Sequence, residues 1–118
     1  MINFEKLKVY HEALLLALDL YKLTKNFPKE ELFGIIGQIR RAAVSISLNI
    51  AEGSSRSKKE FSHFLDMARG SCYELIPLLK ISLELGYLQQ RQYGDFYQRV
   101  DDLTRRINAL KKSMNREP

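Results

Sequence analysis

Four stretches of this chain place apolar residues three and four positions apart over several turns, and none alternates with period two. The first series is Leu7, Tyr10, Leu14, Ala17 and Tyr21, and the second is Ile36, Ile39, Ala43, Ile46 and Ile50. The third is Phe61, Leu65, Ala68, Cys72, Leu75 and Leu79, and the fourth runs from Tyr93 and Phe96 through Val100, Leu103, Ile107 and Leu110 to Met114. On an α-helix such residues share one face, and a long series of this kind is the seam of helices packed nearly parallel. Strands are not expected. The chain therefore reads as all-α, with four helices over roughly 4–26, 29–53, 58–85 and 89–114.

The breaks between the series carry stop and start signals. Phe27-Pro28-Lys29-Glu30-Glu31 reads as an interruption followed by an acidic first helical turn. Ser57 and Glu60 have the spacing of a capping box, and Gly86 is placed as a left-handed helix stop. Such short links force consecutive helices to lie antiparallel, so the expected architecture is an up-down-up-down four-helix bundle. The 118 residues suffice for one domain spanning 1–118, and that size can bury a real core. Pro77 falls inside the third helix, where it removes one backbone donor and should bend the helix.

Composition narrows the class further. The one cysteine cannot form an internal disulfide, so nothing suggests a secreted, bridge-stapled scaffold. No apolar run approaches a membrane span, and the first residues do not read as a signal peptide, so no membrane partner and a cytoplasmic location are expected. The net charge of +5 is uneven. Residues 38–59 contribute a local +4 and residues 89–118 another +3, whereas residues 60–88 carry −2. Excess positive charge permits attraction to phosphate backbones but does not define specificity. The candidate contact residues are Arg56, Lys58 and Lys59 in one link, with Arg105, Arg106, Lys111 and Lys112 in the last helix. No aromatic residue interleaves with the basic link, so binding there would engage phosphates rather than stack bases.

The second helix is unusual in having no charge from Ala42 to Ala51. Ile35, Ile36, Ile39, Ala43, Ile46 and Ile50 cover one face, and Val44, Leu48 and Ala51 occupy what should be the wet side. A helix apolar nearly all round is normally covered all round, and self-association is the simplest cover. Between these faces runs a polar stripe of Gln38, Arg41, Ser45, Asn49 and Glu52. It reads as an interhelical hydrogen-bond network closed by Ser71 and Glu74, in preference to a catalytic groove, since Glu52 is its only candidate base.

Chemistry-bearing patterns are sparse. Glu60-x-x-His63 matches one of the two Glu-x-x-His units that a di-iron bundle requires, but no second unit exists and Glu60 already serves the capping box. Cys72 lies half a turn around the helix from His63 and sits in an apolar stripe, as a structural thiol would. Gly34-x-x-Gly37 resembles the GxxG loop of an RNA-binding module whose strands are missing here. No enzyme activity, metal or cofactor is expected.

Several segments together carry a likeness. Phe4-x-x-Leu7-x-Val9-Tyr10, Tyr21, Phe27-Pro28, the run Gln38-Ile39-Arg40-Arg41-Ala42-Ala43-Val44-Ser45-Ile46, Asn49-Ile50-Ala51-Glu52-Gly53 and Ala68-Arg69-Gly70-Ser71-x-x-Glu74-Leu75 resemble the family of proteins encoded in intervening sequences of bacterial 23S ribosomal RNA genes. The likeness extends from Phe4 to about Leu88. Tyr10 stands where that family often has tryptophan, and Cys72 where a larger apolar residue is usual. The resemblance implies an antiparallel four-helix bundle that assembles into a ring-like homopentamer, with no enzymatic activity attached. A similar bundle, the accessory variability determinant protein of diversity-generating retroelements, is a basic ring that associates with a reverse transcriptase and nucleic acid. By that route the implied partners are further copies of the chain, RNA or DNA, and a reverse transcriptase. The alternative is a protein-interaction scaffold that does not itself touch nucleic acid.

Overall fold

A computed structural model describes Phe4 and residues 7–114. Four α-helices account for most of them: α1 Lys8–Thr24, α2 Gly37–Ser54, α3 Lys58–Glu84 and α4 Gln90–Met114. No strand occurs among the described residues. Cross-helix contacts fix the topology. Arg40 near the start of α2 reaches Thr24 at the end of α1, and Ser45 of α2 meets Ser71 of α3. Asp66 pairs with Lys111 and Arg69 with Asn108 across α3 and α4. Glu12 pairs with Arg106 and Asp19 with Arg99, which closes α4 against α1. Arg40 early in α2 meets Thr24 late in α1, Gly53 late in α2 lies against Phe64 early in α3, and along α3–α4 and α4–α1 the partner numbers fall as the others rise, so neighbouring helices are antiparallel. The described residues fill 50 × 22 × 21 Å, one bundle long and two helices across.

Three expected seams coincide with the core. Every member of the second and third series is buried, and Val100, Leu103 and Ile107 anchor the fourth, with Tyr93, Phe96, Leu110 and Met114 packed at its edge. The first seam is rotated. Leu14 and Tyr21 are exposed, and Val9, Ala13, Leu16, Leu20 and Leu23 face inward instead. The run Leu14-Leu15-Leu16-Ala17-Leu18 offers several helical stripes of equal hydrophobicity. The choice among them is made by α2 and α4, not by α1 itself.

The second segment also departs from a single helix over 29–53. Lys29–Glu31 form a 3₁₀ turn and Leu32–Ile36 a π-type turn before α2 begins. Gly34, at φ −107° and ψ −118°, lies outside helical geometry and breaks the backbone there. This lets Ile35 and Ile36 turn into the core while Leu32 and Phe33 stay outside. The other termini follow their local chemistry. Ser57 accepts from the Glu60 amide at 3.2 Å, and its hydroxyl donates to the Glu60 carboxylate at 3.0 Å. Gly86 adopts φ +81°, with Gly86 N–H on the Leu83 carbonyl and Tyr87 N–H on the Ser82 carbonyl, the doubly bonded stop that a glycine permits. α3 runs without interruption from Lys58 to Glu84 with Pro77 inside it.

Candidate functional site

The polar stripe divides into a buried knot and an open rim. Ser71 Oγ donates to Ser45 Oγ at 2.9 Å, and Asn49 Nδ2 donates to Ser45 Oγ at 3.0 Å and to the Ser45 carbonyl at 2.9 Å. Ser71 is buried, with Ser45 and Asn49 half-buried, so these three residues form the interhelical network. Gln38, Arg41 and Glu74 stand outside it, exposed. They line an open groove of about 650 Å³ between α2 and α3, floored by Ala42, Ser45 and Ser71 and walled by Pro77 and Leu78. Glu52 turns away and binds Arg56 at 2.8 Å.

Across Arg41, on the α1 side of α2, lies a second shallow groove of about 690 Å³ lined by Tyr21, Leu32, Phe33, Gly37, Val44 and Leu48 among others. Phe33 is 95% exposed and Leu48 62%. The charge-free stretch of α2 therefore does present apolar side chains to solvent in a single copy, Leu48 most of all.

The seven candidate cations do not form one free surface. Arg56 lies between Glu52 and Glu60, and the Glu52 hydrogen bond and charge raise its pKa further. Arg105 pairs with Asp101 at 3.2 Å, Arg106 with Glu12, and Lys111 with Asp66. Lys58, Lys59 and Lys112 are exposed and have no carboxylate partner among the described residues. The antiparallel pairing of α3 and α4 brings the start of α3 and the end of α4 to one end of the bundle, so these three lysines lie there together.

Sequence reasoning passed over Arg40. Its Nε donates to Thr24 Oγ1 at 2.9 Å and its Nη2 to the Tyr21 carbonyl at 3.3 Å, and its guanidinium lies 4.5 Å from the Tyr21 ring centre. It thereby ties the Tyr21 carbonyl and the Thr24 hydroxyl in the last turn of α1 to α2, and the only sequence sign was a cation on the α1-facing flank of α2. Tyr87 is similar: its hydroxyl donates to Glu31 at 2.8 Å, which holds the 3₁₀ turn and raises the tyrosine pKa.

Glu60 is engaged by Ser57 and Arg56, and His63 is exposed. Among the described residues, no three His, Cys, Asp or Glu side chains are grouped so as to hold a metal ion. Cys72 is fully buried, and burial pushes its thiol up to about 11, against a smaller lowering by the Thr104 hydroxyl. Two results are expected from this. At neutral pH a thiol reagent should label Cys72 only as fast as the protein opens, and labelling of the folded protein within seconds would contradict the burial. A thiol whose folded pKa is raised stabilises the fold below its unfolded pKa. That contribution is lost as pH rises from about 9 toward 11, a loss of about 2–3 kcal/mol. Cys72→Ala should lack this part of the alkaline destabilisation, as read from denaturant midpoints at pH 8 and pH 10.5.

No protein of curated function matches the chain. Among solved structures, a protein of unknown function from the S23 ribosomal protein family of Bacteroides thetaiotaomicron superposes with a TM-score of 0.81. The two chains are 24% identical over 88% of this chain and 95% of that one, a level that speaks for a shared fold alone. The sequence match is broader in meaning. The model of the 23S rRNA-intervening sequence protein family covers residues 5–109, so it takes in the Gln38–Gly53 run, both grooves flanking Arg41 and most of α4. With that much of the bundle matched, this chain belongs to the 23S rRNA-intervening sequence protein family.

Proposed function

We propose that the protein is a non-enzymatic binding protein that works as an assembly of its own copies and holds RNA or DNA by the phosphate backbone. The observation that carries this reading is the outer side of α2. Val44 and Leu48 on α2, with Leu32 and Phe33 of the turn before it, line one exposed or half-exposed flank, and the opposite face of α2 is buried. Contiguous apolar surface of this kind marks a contact surface in soluble proteins. Assembly multiplies the lysine-bearing end of each bundle, so a weak site made of Lys58, Lys59 and Lys112 gains from effective concentration.

One observation favours a different partner. Four of the seven candidate cations already face carboxylates, which leaves less positive charge for phosphates than composition suggests. In that second reading the assembly is a protein scaffold, and a reverse transcriptase is the partner the family likeness brings forward.

Salt separates the two. Each phosphate neutralised contributes about 0.9 to the log–log salt slope on duplex DNA and about 0.7 on single strands. Alanine at Lys58, Lys59 and Lys112 together should flatten the slope by roughly two to three units per engaged subunit, with sequence preference unchanged. Titration of RNA and DNA binding against salt, for wild type and the triple variant, checks this. No binding by wild type at low salt removes the nucleic-acid reading in favour of the scaffold. Sedimentation at micromolar concentration checks assembly, and a stable 13.8 kDa species would end that part of the reading.

A further inference from the structure

We propose that the outer side of α1, with the groove it shares with α4, is the docking surface for an acidic amphipathic helix of another protein. This surface lies apart from both grooves beside α2, so it adds a partner to the contacts proposed above.

At 100° per residue, the inward side of α1 formed by Val9, Ala13, Leu16, Leu20 and Leu23 leaves His11, Leu15, Leu18 and Lys22 on the opposite side. Leu15 and Leu18 are 56% and 50% exposed. The helix is thus apolar on the side that an amphipathic surface helix keeps polar. Both acids of α1 are engaged by α4, Glu12 by Arg106 and Asp19 by Arg99. Lys8, Lys22 and Lys25 are exposed and have no carboxylate partner among the described residues. The outer side of α1 therefore holds two leucines between free cations, with no unpaired carboxylate of its own.

Beside Leu15 the surface dips between α1 and α4 into a pocket of about 190 Å³. Leu15, Leu16 and Leu103 supply its apolar lining, and Glu12, Arg99, Asp102 and Arg106 its polar edge. An apolar cavity of about 150 Å³ holds a benzene ring, so this pocket takes one leucine or phenylalanine side chain. An apolar seat for a single side chain inside a polar rim is the anatomy of an interface anchor.

Shape and charge select the occupant. Two antiparallel helices side by side offer a groove into which the ridge of a third helix packs. No sheet edge occurs among the described residues to receive a strand. From Lys8 to Lys25 the surface runs about 26 Å, which a partner helix of about 17 residues spans. The charges at the pocket edge are two of each sign, so the free lysines set the sign of the partner. The wider surface agrees, since α1 through Lys25 and α4 together hold nine Lys and Arg against five Asp and Glu. Acidic residues flanking a leucine stripe meet that surplus. A flat anionic membrane fits less well, because Glu12 and Asp102 would face its headgroups and two leucines bury little in it.

The probe is a fluorescent synthetic helix of about 18 residues, leucines at helical spacing and glutamates between them. Beside it stands a second in which lysine replaces every glutamate. Anisotropy should show the protein binding the leucine–glutamate helix roughly tenfold or more tighter than the leucine–lysine helix, and less tightly as salt rises. Leu15→Gln with Leu18→Gln should weaken that binding roughly tenfold or more, as loss of an anchor does. Both positions are exposed and glutamine is a good helix former, so the fold should hold, which circular dichroism checks. Lys22→Glu with Lys25→Glu should reverse the preference between the two helices, and Leu48→Gln on α2 should leave it unchanged. Failure to bind the leucine–glutamate helix, or equal binding of both helices, would overturn the proposal. So would binding that survives the double leucine change, which would place the contact elsewhere. Phosphatidylglycerol vesicles or single-stranded RNA bound through Leu15 and Leu18 in preference to the helix would overturn it as well, and give the surface to a membrane or a nucleic acid.

Discussion

Gly53→Val should lower the melting temperature by roughly 10 °C or more, or prevent folding, although valine is no worse than glycine as a helix former. A Cβ at Gly53 would lie 2.6 Å from Phe64 Cβ and 2.9 Å from Phe61 Cδ1. Phe64 Cβ is fixed to its backbone and cannot rotate aside, so either α2 or α3 must move where they approach each other. Overpacking of this kind costs about 1–3 kcal/mol and more for a branched side chain. A helical glycine replaced at an open position gains about 0.5–1 kcal/mol in return, which is the smaller term. Gly70 and Gly94 supply the control, because nothing lies within 4 Å of a Cβ at either. Gly70→Ala and Gly94→Ala should raise the melting temperature slightly, measured by circular dichroism beside Gly53→Val. If Gly53→Val melted with the wild type, the close approach of α2 and α3 would be wrong.

The second large effect separates two adjacent leucines. Leu16 is 1% exposed and Leu15 is 56% exposed. Leu16→Ala removes side-chain volume from a core that can relax only in part, and should cost about 2.7–5 kcal/mol. Leu15→Ala should stay within about 0.5 kcal/mol, as substitutions away from packed features do. Urea midpoints compare the two directly. Equal losses would mean that α1 is rotated from the orientation described.

That same pair shows where the chain was legible and where it was not. In α3 and α4 apolar residues alternate with polar ones at helical spacing, so one face alone could be buried, and in α2 the isoleucines mark the inward face. α1 places leucine or alanine at every position from Ala13 to Leu18, so its inward face depends on neighbours far along the chain. The caps at Ser57 and Gly86 were legible because their partners lie within a few residues. Arg40 was not, because Thr24 and Tyr21 meet it only once α1 and α2 are folded against each other. The stripe from Gln38 to Glu52 was visible as a face, but helical angle could not say which members α3 would cover. The split of Ser45, Asn49 and Ser71 from Gln38, Arg41 and Glu74 comes from that packing. Charge counting likewise placed Arg56 in a basic link, whereas Glu52, one turn earlier, neutralises it.

The closure of α4 against α1 has a dynamic consequence. It is the one junction between helices that do not follow each other in sequence, and the lightest of the four in packing. Two ion pairs at its surface, Glu12 with Arg106 and Asp19 with Arg99, stitch it. Exposed pairs contribute little and weaken as ions accumulate around them. The bundle therefore has a built-in seam: fluctuations that expose backbone amides to exchange should begin by parting α1 from α4, while the α2–α3 hairpin, locked at Gly53 and at Ser45–Ser71, is the last unit to open.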